Sequence, residues 1–326
     1  MKKALITGIT GQDGYYLVEL LISKGYLVSG TSRGIGEING KGFESPTLGQ
    51  VKMLNWDLKN IEEFQHILVS EKPDEIYNFA AFSSGADMFK NPIELSEING
   101  ISVLKMLESI RNFDINIKFC QASSREVYGD PSESPLSENS LMLPRSPYGA
   151  AKLFADNIIK MYRNQYGMYC CSAILFNHES PRRRMEFVTK KIVNAAVRIK
   201  LGLQKSLSLG NLETIRDWGH AKDYVAAMWL MLQQEDADDY VVASDEGRTV
   251  RDFCEAVFNA LNLNYLEYVV GDDADSLRPS EKFPLIGCSK KIIKKLGWQR
   301  EFNFEELISD MIMSELKQQN LIKSGN

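Results

Sequence analysis

The chain is poor in histidine and cysteine and has no long hydrophobic run, and each scarcity excludes a class of function. Its three histidines, His66, His178 and His220, show no metal-ligand spacing, so no metal is expected. The five cysteines, Cys120, Cys170, Cys171, Cys254 and Cys288, make neither a C-x-x-C pair nor a disulfide scaffold, and reduced structural thiols are expected. No apolar run approaches the roughly 20 residues that span a bilayer. The N-terminus enters a strand pattern directly rather than a leader, so a cytoplasmic protein with no membrane partner is expected. A net charge of −5, from 38 basic and 43 acidic residues without a basic block, gives no electrostatic footprint for nucleic acid.

What is present is alternation. In 326 residues, enough for one large or two moderate domains, strand patterns at 2–7, 26–33, 51–55, 75–79, 118–123 and 169–176 are separated by helical periodicity at 16–22, 61–70, 93–113 and 148–166. Such alternation predicts right-handed βαβ units and a parallel, doubly wound α/β sheet. Leu95, Ile98, Ile101, Leu104, Leu107 and Ile110 form one helical stripe, read as packing. After about Phe176 the pattern loosens into helix 187–200 and a further mix of short elements. Gly34 to Gly49 is the most flexible-looking stretch, and the tail after Gln318 is expected to fray.

The first strand runs into Gly8-Ile-Thr10-Gly11-Gln12-Asp13-Gly14 and then a helix. Strand, glycine turn and helix is the context of a dinucleotide fingerprint: glycines admit a pyrophosphate, and the helix N-terminus meets its charge. At the end of the second strand an acidic residue would hold a ribose 2′-hydroxyl. Arg33 stands there instead and suits a 2′-phosphate, which favours NADP over NAD; a solvated strand-end charge is the alternative. Asp57 is either an adenine contact or a turn residue. Tyr148 and Lys152 lie one helical turn apart after Pro147, and a cation so close to a phenol is expected to favour its action as a base nearer neutral pH.

Ser124 and Glu126 follow the fifth strand at the carboxyl edge where open α/β sheets bind ligands. The fingerprint, Ser124, Tyr148 and Lys152 together resemble the extended short-chain dehydrogenase/reductase superfamily. Three longer runs, residues 121–129, 175–183 and 216–224, are similar to GDP-mannose 4,6-dehydratases. The resemblance implies a Rossmann-like NADP-binding domain over residues 1–176, with return segments near 217–250, and a smaller mixed α/β substrate-binding domain mainly over 177–326.

It also implies a redox-neutral dehydration of a nucleotide sugar, GDP-linked by preference. Tyr148 and Lys152 would serve oxidation at C4, Ser124 would hydrogen-bond the C4 oxygen, and Glu126 would remove the C5 proton and release the C6 hydroxyl. Cofactor contacts are implied for the glycine-turn residues Gly8, Thr10, Gly11, Gln12, Asp13 and Gly14, for Arg33, Asp57, Leu58, Ala80 and Ala81, for Tyr148 and Lys152, and for His178 and Arg183. Substrate contacts are implied for Ser83, Ser124, Glu126, Asn177, Lys191, Gly210, Arg216, Arg278 and Glu281. His178 and His220 are read as hydrogen-bonding rather than acid–base residues.

Two departures stand out. Ala81-Phe82-Ser83-Ser84 replaces the family's Ala-Gln-Ser-His, and Arg125 replaces the serine of its Thr-Ser-Glu. A glycine-rich stretch also replaces the Arg- and Ser-rich loop used in the family's tetramers, which leaves a homodimer and a homotetramer both open, with helices 93–113 and 148–166 as the expected contact. A ketoreductase or epimerase of the same superfamily would use Tyr148 and Lys152 without Glu126, and a non-catalytic cofactor-binding module is the reading from another class.

Overall fold

Strands buried on both faces need apolar side chains in both alternating registers, and that requirement shapes the centre of this molecule. The structure is a computed structural model that describes residues 1–33, 51–82, 89, 91–271 and 283–324, with side chains described to residue 319. Seven parallel strands, β1 (Lys3–Thr7), β2 (Leu27–Ser32), β3 (Lys52–Asn55), β4 (Glu75–Asn78), β5 (Lys118–Ala122), β6 (Cys170–Leu175) and β10 (Tyr240–Val242), form one sheet in the order β10-β6-β5-β4-β1-β2-β3. The order reverses between β1 and β4, and a ligand crevice opens at such a switch point. Expected strand ends differ from these by about a residue, where fraying hydrogen bonds rather than side-chain pattern decide.

Alternation along each strand feeds two helical layers. Ile6, Tyr77, Cys120 and Cys171 pack under α1 (Gln12–Ser23) and α7 (Ala221–Leu232). Leu5, Ile76, Phe119 and Cys170 pack on the other side against α2 (Ile61–Glu71), α4 (Ser102–Phe113) and α5 (Pro147–Tyr166). All five cysteines are free thiols. A second core joins α6 (Val188–Lys200), α8 (Val250–Ala260) and α10 (Phe304–Ser324) around Trp218. It carries two small sheets, one of β7 (Asn177–Glu179), β9 (Ile215–His220) and β11 (Gly247–Thr249), the other of β8 (Leu207–Leu209) and β12 (Val269–Gly271). A short helix, α9 (Lys290–Leu296), lies beside β10. No described helix is long and apolar enough to cross a membrane.

One part of the predicted packing stripe fails. The short helix α3 (Pro92–Ser96) continues into α4 through a π-turn at Glu97–Ile101. That wider turn rephases the helix, so Asn99, Ser102 and Val103 turn inward while Ile101 is 38% exposed.

Candidate active site

The glycine turn at the switch point is held from three sides. Gly8 has φ +67°, and a Cβ there would lie 2.8 Å from the Ala80 nitrogen, so only glycine fits between β1 and the end of β4. Gly11 caps α1, and its N–H donates to the Gly8 carbonyl at 2.9 Å. Thr10 meets Ser32 at 3.0 Å, at the end of β2 beside exposed Arg33. Gln12 donates to the His178 carbonyl at 3.1 Å and accepts from Ser180 at 2.7 Å. His178 Nε2 lies 3.1 Å from Asp13 Oδ2, with Nδ1 2.8 Å from the Phe176 carbonyl. Burial works against charge on both partners, but their mutual attraction outweighs it, raising the pKa of His178 and lowering that of Asp13. Gln12, Asp13 and His178 thus clamp the turn to β7. His220 caps α7 and contacts Asp310 at 3.0 Å, so both histidines are hydrogen-bonding residues, as read from the sequence.

A second group forms where β5 ends. Ser124 caps the 3-10 turn Arg125–Val127, its Oγ accepting from the Glu126 N–H at 3.3 Å, and its hydroxyl acts on the Tyr148 phenol, favouring its ionised form. Across from it Ser146 caps α5 and Pro147 opens the helix. Gly149 follows, where a Cβ would lie 2.4 Å from the Glu126 carbonyl oxygen. A bare backbone in the first turn of α5 is therefore what lets the Glu126 turn sit down on the helix. Arg125 folds back onto its neighbour, Nη2 to Glu126 Oε1 at 2.9 Å.

Tyr148, Lys152 and Asp156 line one buried face of α5. Tyr148 packs with Leu95, Ala151 and Phe82. Asn99 fixes Phe82 by accepting from its N–H at 3.0 Å and donating to its carbonyl at 3.2 Å. The expectation of a phenol nearer neutral is reversed: burial pushes Tyr148 up to about 12. The Ser124 hydrogen bond opposes that rise, the Glu126 charge reinforces it, and Arg183 and Arg125 oppose it. Lys152 donates to the Ala122 carbonyl at 2.8 Å, with Nζ 5.8 Å from the Tyr148 ring centroid. Burial pulls the ammonium down to about 8, and Asp156 resists. Asp156 itself is pushed up to about 6 by burial, against a 2.5 Å hydrogen bond from Ser123.

These two groups share a buried polar chain. Thr7 donates to Asn78, Asn78 to Gln121 at 2.7 Å, and Gln121 to the Ala122 carbonyl at 2.8 Å, the same oxygen that receives Lys152. Ala80 joins through its N–H to Thr7 at 3.1 Å, with Ala81 next in chain. Asp57 accepts from the Lys59 N–H at 2.9 Å as a turn residue does, and Leu58 packs into the layer under the sheet.

On the substrate side, the Oδ1 of Asn177 is buried without a hydrogen-bond partner among the described residues. Arg183 stands 3.0 Å from Glu179 and over the Phe187 ring. Lys191 is exposed on α6, while its neighbour Lys190 is the buried one, 2.8 Å from Glu315. Gly210 follows β8, and Arg216 lies in β9 with Nη1 2.7 Å from the Ile215 carbonyl. Ser83, Arg278 and Glu281 lie outside the described residues. Sequence reasoning missed the parts played by Phe82, Asn99 and Asp156. Asp156 carries a usable signal, one more helical turn beyond Lys152, whereas nothing local marks Asn99.

The arrangement suits proton transfer at adjacent positions: a phenol under the influence of a hydroxyl, a buried ammonium behind it and a carboxylate beside it. Comparison with known proteins agrees with that chemistry. The family model for GDP-mannose 4,6 dehydratase matches residues 5–311. The chain is 43% identical to GDP-mannose 4,6 dehydratase 2 of Arabidopsis thaliana, covering 97% of this chain and 87% of that protein. It is 39% identical to the GDP-mannose 4,6-dehydratase of Vibrio cholerae, covering 97% and 94%. Among solved structures, dTDP-glucose 4,6-dehydratase of Bacillus anthracis, in complex with NAD, superposes with a TM-score of 0.83 at 21% identity over 98% of each chain. The chain belongs to the GDP-mannose 4,6 dehydratase family.

Proposed function

We propose that the protein dehydrates GDP-mannose, or a closely related GDP-sugar, to the 4-keto-6-deoxy product, using NADP. The observation that carries the reading is the seating of Glu126 against the helix that bears Tyr148 and Lys152, because oxidation alone needs no such carboxylate. The residues fit a nicotinamide dinucleotide: Gly11, exposed and without a side chain, is the N-cap of α1, so the helix N-terminus can be approached by a pyrophosphate. Gly8, Gly11 and Gly14 would admit it, Arg33 would grip a 2′-phosphate, and Lys152 would hold the nicotinamide ribose. When bound, the cofactor supplies a hydride acceptor at C4, a positive charge that favours ionisation of a phenol, and later the hydride for C6.

The protein's own groups do the rest. Tyr148 takes the C4 hydroxyl proton while Ser124 hydrogen-bonds the same oxygen. The new ketone acidifies C5–H, and Glu126 removes that proton and delivers it to the C6 hydroxyl, which leaves as water; C5 regains a proton when C6 is reduced, balanced by the one Tyr148 took from the C4 hydroxyl. Arg183, Asn177 and Arg216 would hold the nucleotide sugar, with guanidinium forks suited to its phosphates. A division into cofactor-binding residues 1–176 and mainly substrate-binding residues 177–326 is part of the same reading, as is a cytoplasmic location. Exposed Ile101, Phe154 and Met161 on the helices at 97–113 and 147–166 support a homodimer across those helices.

Incubation with GDP-mannose and other nucleotide sugars, followed by product mass, tests the proposal. Loss of one water without net NADPH consumption is expected. Stoichiometric NADPH oxidation would assign a reductase instead.

A further inference from the structure

Arg125 occupies the position least explained by the reaction. Its residue is 7% exposed, and its Nη2 lies 2.9 Å from Glu126 Oε1. Nη1 is buried with no hydrogen-bond partner among the described residues. Of the two paired side chains, the carboxylate is the more exposed, 24% against 9%. The guanidinium is therefore the more deeply buried partner, and the carboxylate is the one that keeps contact with solvent. A structural arginine this deep would be expected to satisfy its donors, since a buried donor left unpaired costs about 1–3 kcal/mol. Here that cost is carried while, among the described residues, one ion pair is kept, the one to Glu126.

We infer that Arg125 is a positioning residue for the dehydration half-reaction, pinning the carboxylate of Glu126 through Oε1 so that its other oxygen is presented to the C5 proton. The inference rests on the reading of Glu126 as the C5 base. Two neighbouring restraints make it coherent. The Glu126 backbone is fixed against Gly149 and by the bond from its N–H to Ser124 Oγ. Among the described residues, the side chain is ion-paired with Arg125 alone. With the backbone held by the helix and the carboxylate held by the guanidinium, the base is fixed at both ends. Misplacing a reacting group by about 1 Å can cost about 10²-fold in rate.

The test compares Arg125→Met, Arg125→Lys and Glu126→Gln with the native enzyme on GDP-mannose. Three quantities are read: KM, transient cofactor reduction, and solvent deuterium incorporation at C5. Methionine keeps much of the apolar stem and removes the charge, and the carboxylate it leaves behind is 24% exposed, so that charge keeps some access to water rather than being stranded in the interior. Arg125→Met is expected to slow C5 exchange and kcat about 10- to 100-fold with KM and transient cofactor reduction unchanged, and Arg125→Lys to recover part of the loss. Native C5 exchange in Arg125→Met overturns the inference, as does a parallel fall in every step with no recovery by lysine. Should Arg125→Met not fold, Arg125→Lys decides alone: slowed exchange at native KM supports the role, and native exchange overturns it. Normal dehydration by Glu126→Gln would instead remove the base reading itself. A blocked Glu126→Gln beside a native Arg125→Met would remove only the role of Arg125.

Discussion

The two halves of the candidate active site are built on different supports. Tyr148 and Lys152 ride on a 20-residue helix, where their relation follows from the helical repeat and from packing along its whole length. Arg125 and Glu126 ride on a single 3-10 turn, whose position depends on β5 behind it, Gly149 across from it and an ion pair within it. The difference teaches that the first half-reaction is protected by redundancy and the second by a few specific contacts. Changes outside the reacting groups should therefore injure dehydration before they injure oxidation.

Removing Tyr148 should have the largest effect, since both halves of the reaction begin with it. Tyr148→Phe is expected to lower turnover about 10³- to 10⁴-fold and to abolish transient cofactor reduction, measured by nicotinamide absorbance in a stopped-flow instrument. Glu126→Gln should lower product formation about 10²- to 10³-fold yet leave that absorbance transient intact. Loss of the transient in this variant would break the separation between helix and turn.

Gly149→Ala sharpens the comparison, because it pushes on the turn from the helix side without touching a reacting group. About a 10- to 100-fold loss of kcat is expected, with C5 exchange affected more than the transient. Equal loss in both would mean that the helix itself had moved.

The smallest effect concerns stability and belongs to the helix. Burial raises Asp156 from 3.8 to about 6, so between these values the unfolded chain ionises first and the native fold loses stability as pH rises. Asparagine cannot ionise and escapes that loss. Asp156→Asn should therefore gain on the native protein between about pH 4 and pH 7, by on the order of 2–3 kcal/mol, in urea unfolding curves taken at several pH values. A stability gap independent of pH would mean that Asp156 is not held in its neutral form.

The sheet was legible because each strand carries its burial in its own letters: Leu5 and Ile6, Ile76 and Tyr77, Phe119 and Cys120 each face opposite layers. The glycine turn and the Tyr148–Lys152 pair were legible for a similar reason, since their geometry is local. What escaped depends on residues far away in the chain. The direction of the Tyr148 shift comes from Phe82 and Leu95 closing over the ring, and no spacing rule weighs that burial against a nearby ammonium. Ile101 left its stripe because a π-turn rephased the helix, a backbone event with no apolar signature. The pairing of Asp13 with His178 joins two segments whose local patterns are silent about each other.

That last contact bears on how the protein is made. The clamp on the glycine turn joins residues 165, 166 and 168 positions apart, through Asp13–His178, Gln12–His178 and Gln12–Ser180. Synthesis runs from the N-terminus, and contacts between distant segments must wait for both partners to exist. The turn is thus among the first pieces to leave the ribosome, yet its clamp closes only after Ser180 has followed. A nascent chain halted before residue 178 can pair β1 with β2 and β4 but lacks the bonds that tie Gln12 and Asp13 to β7 and Ser180. The ability to retain a dinucleotide should then arise late in translation, after more than half of the polypeptide has emerged.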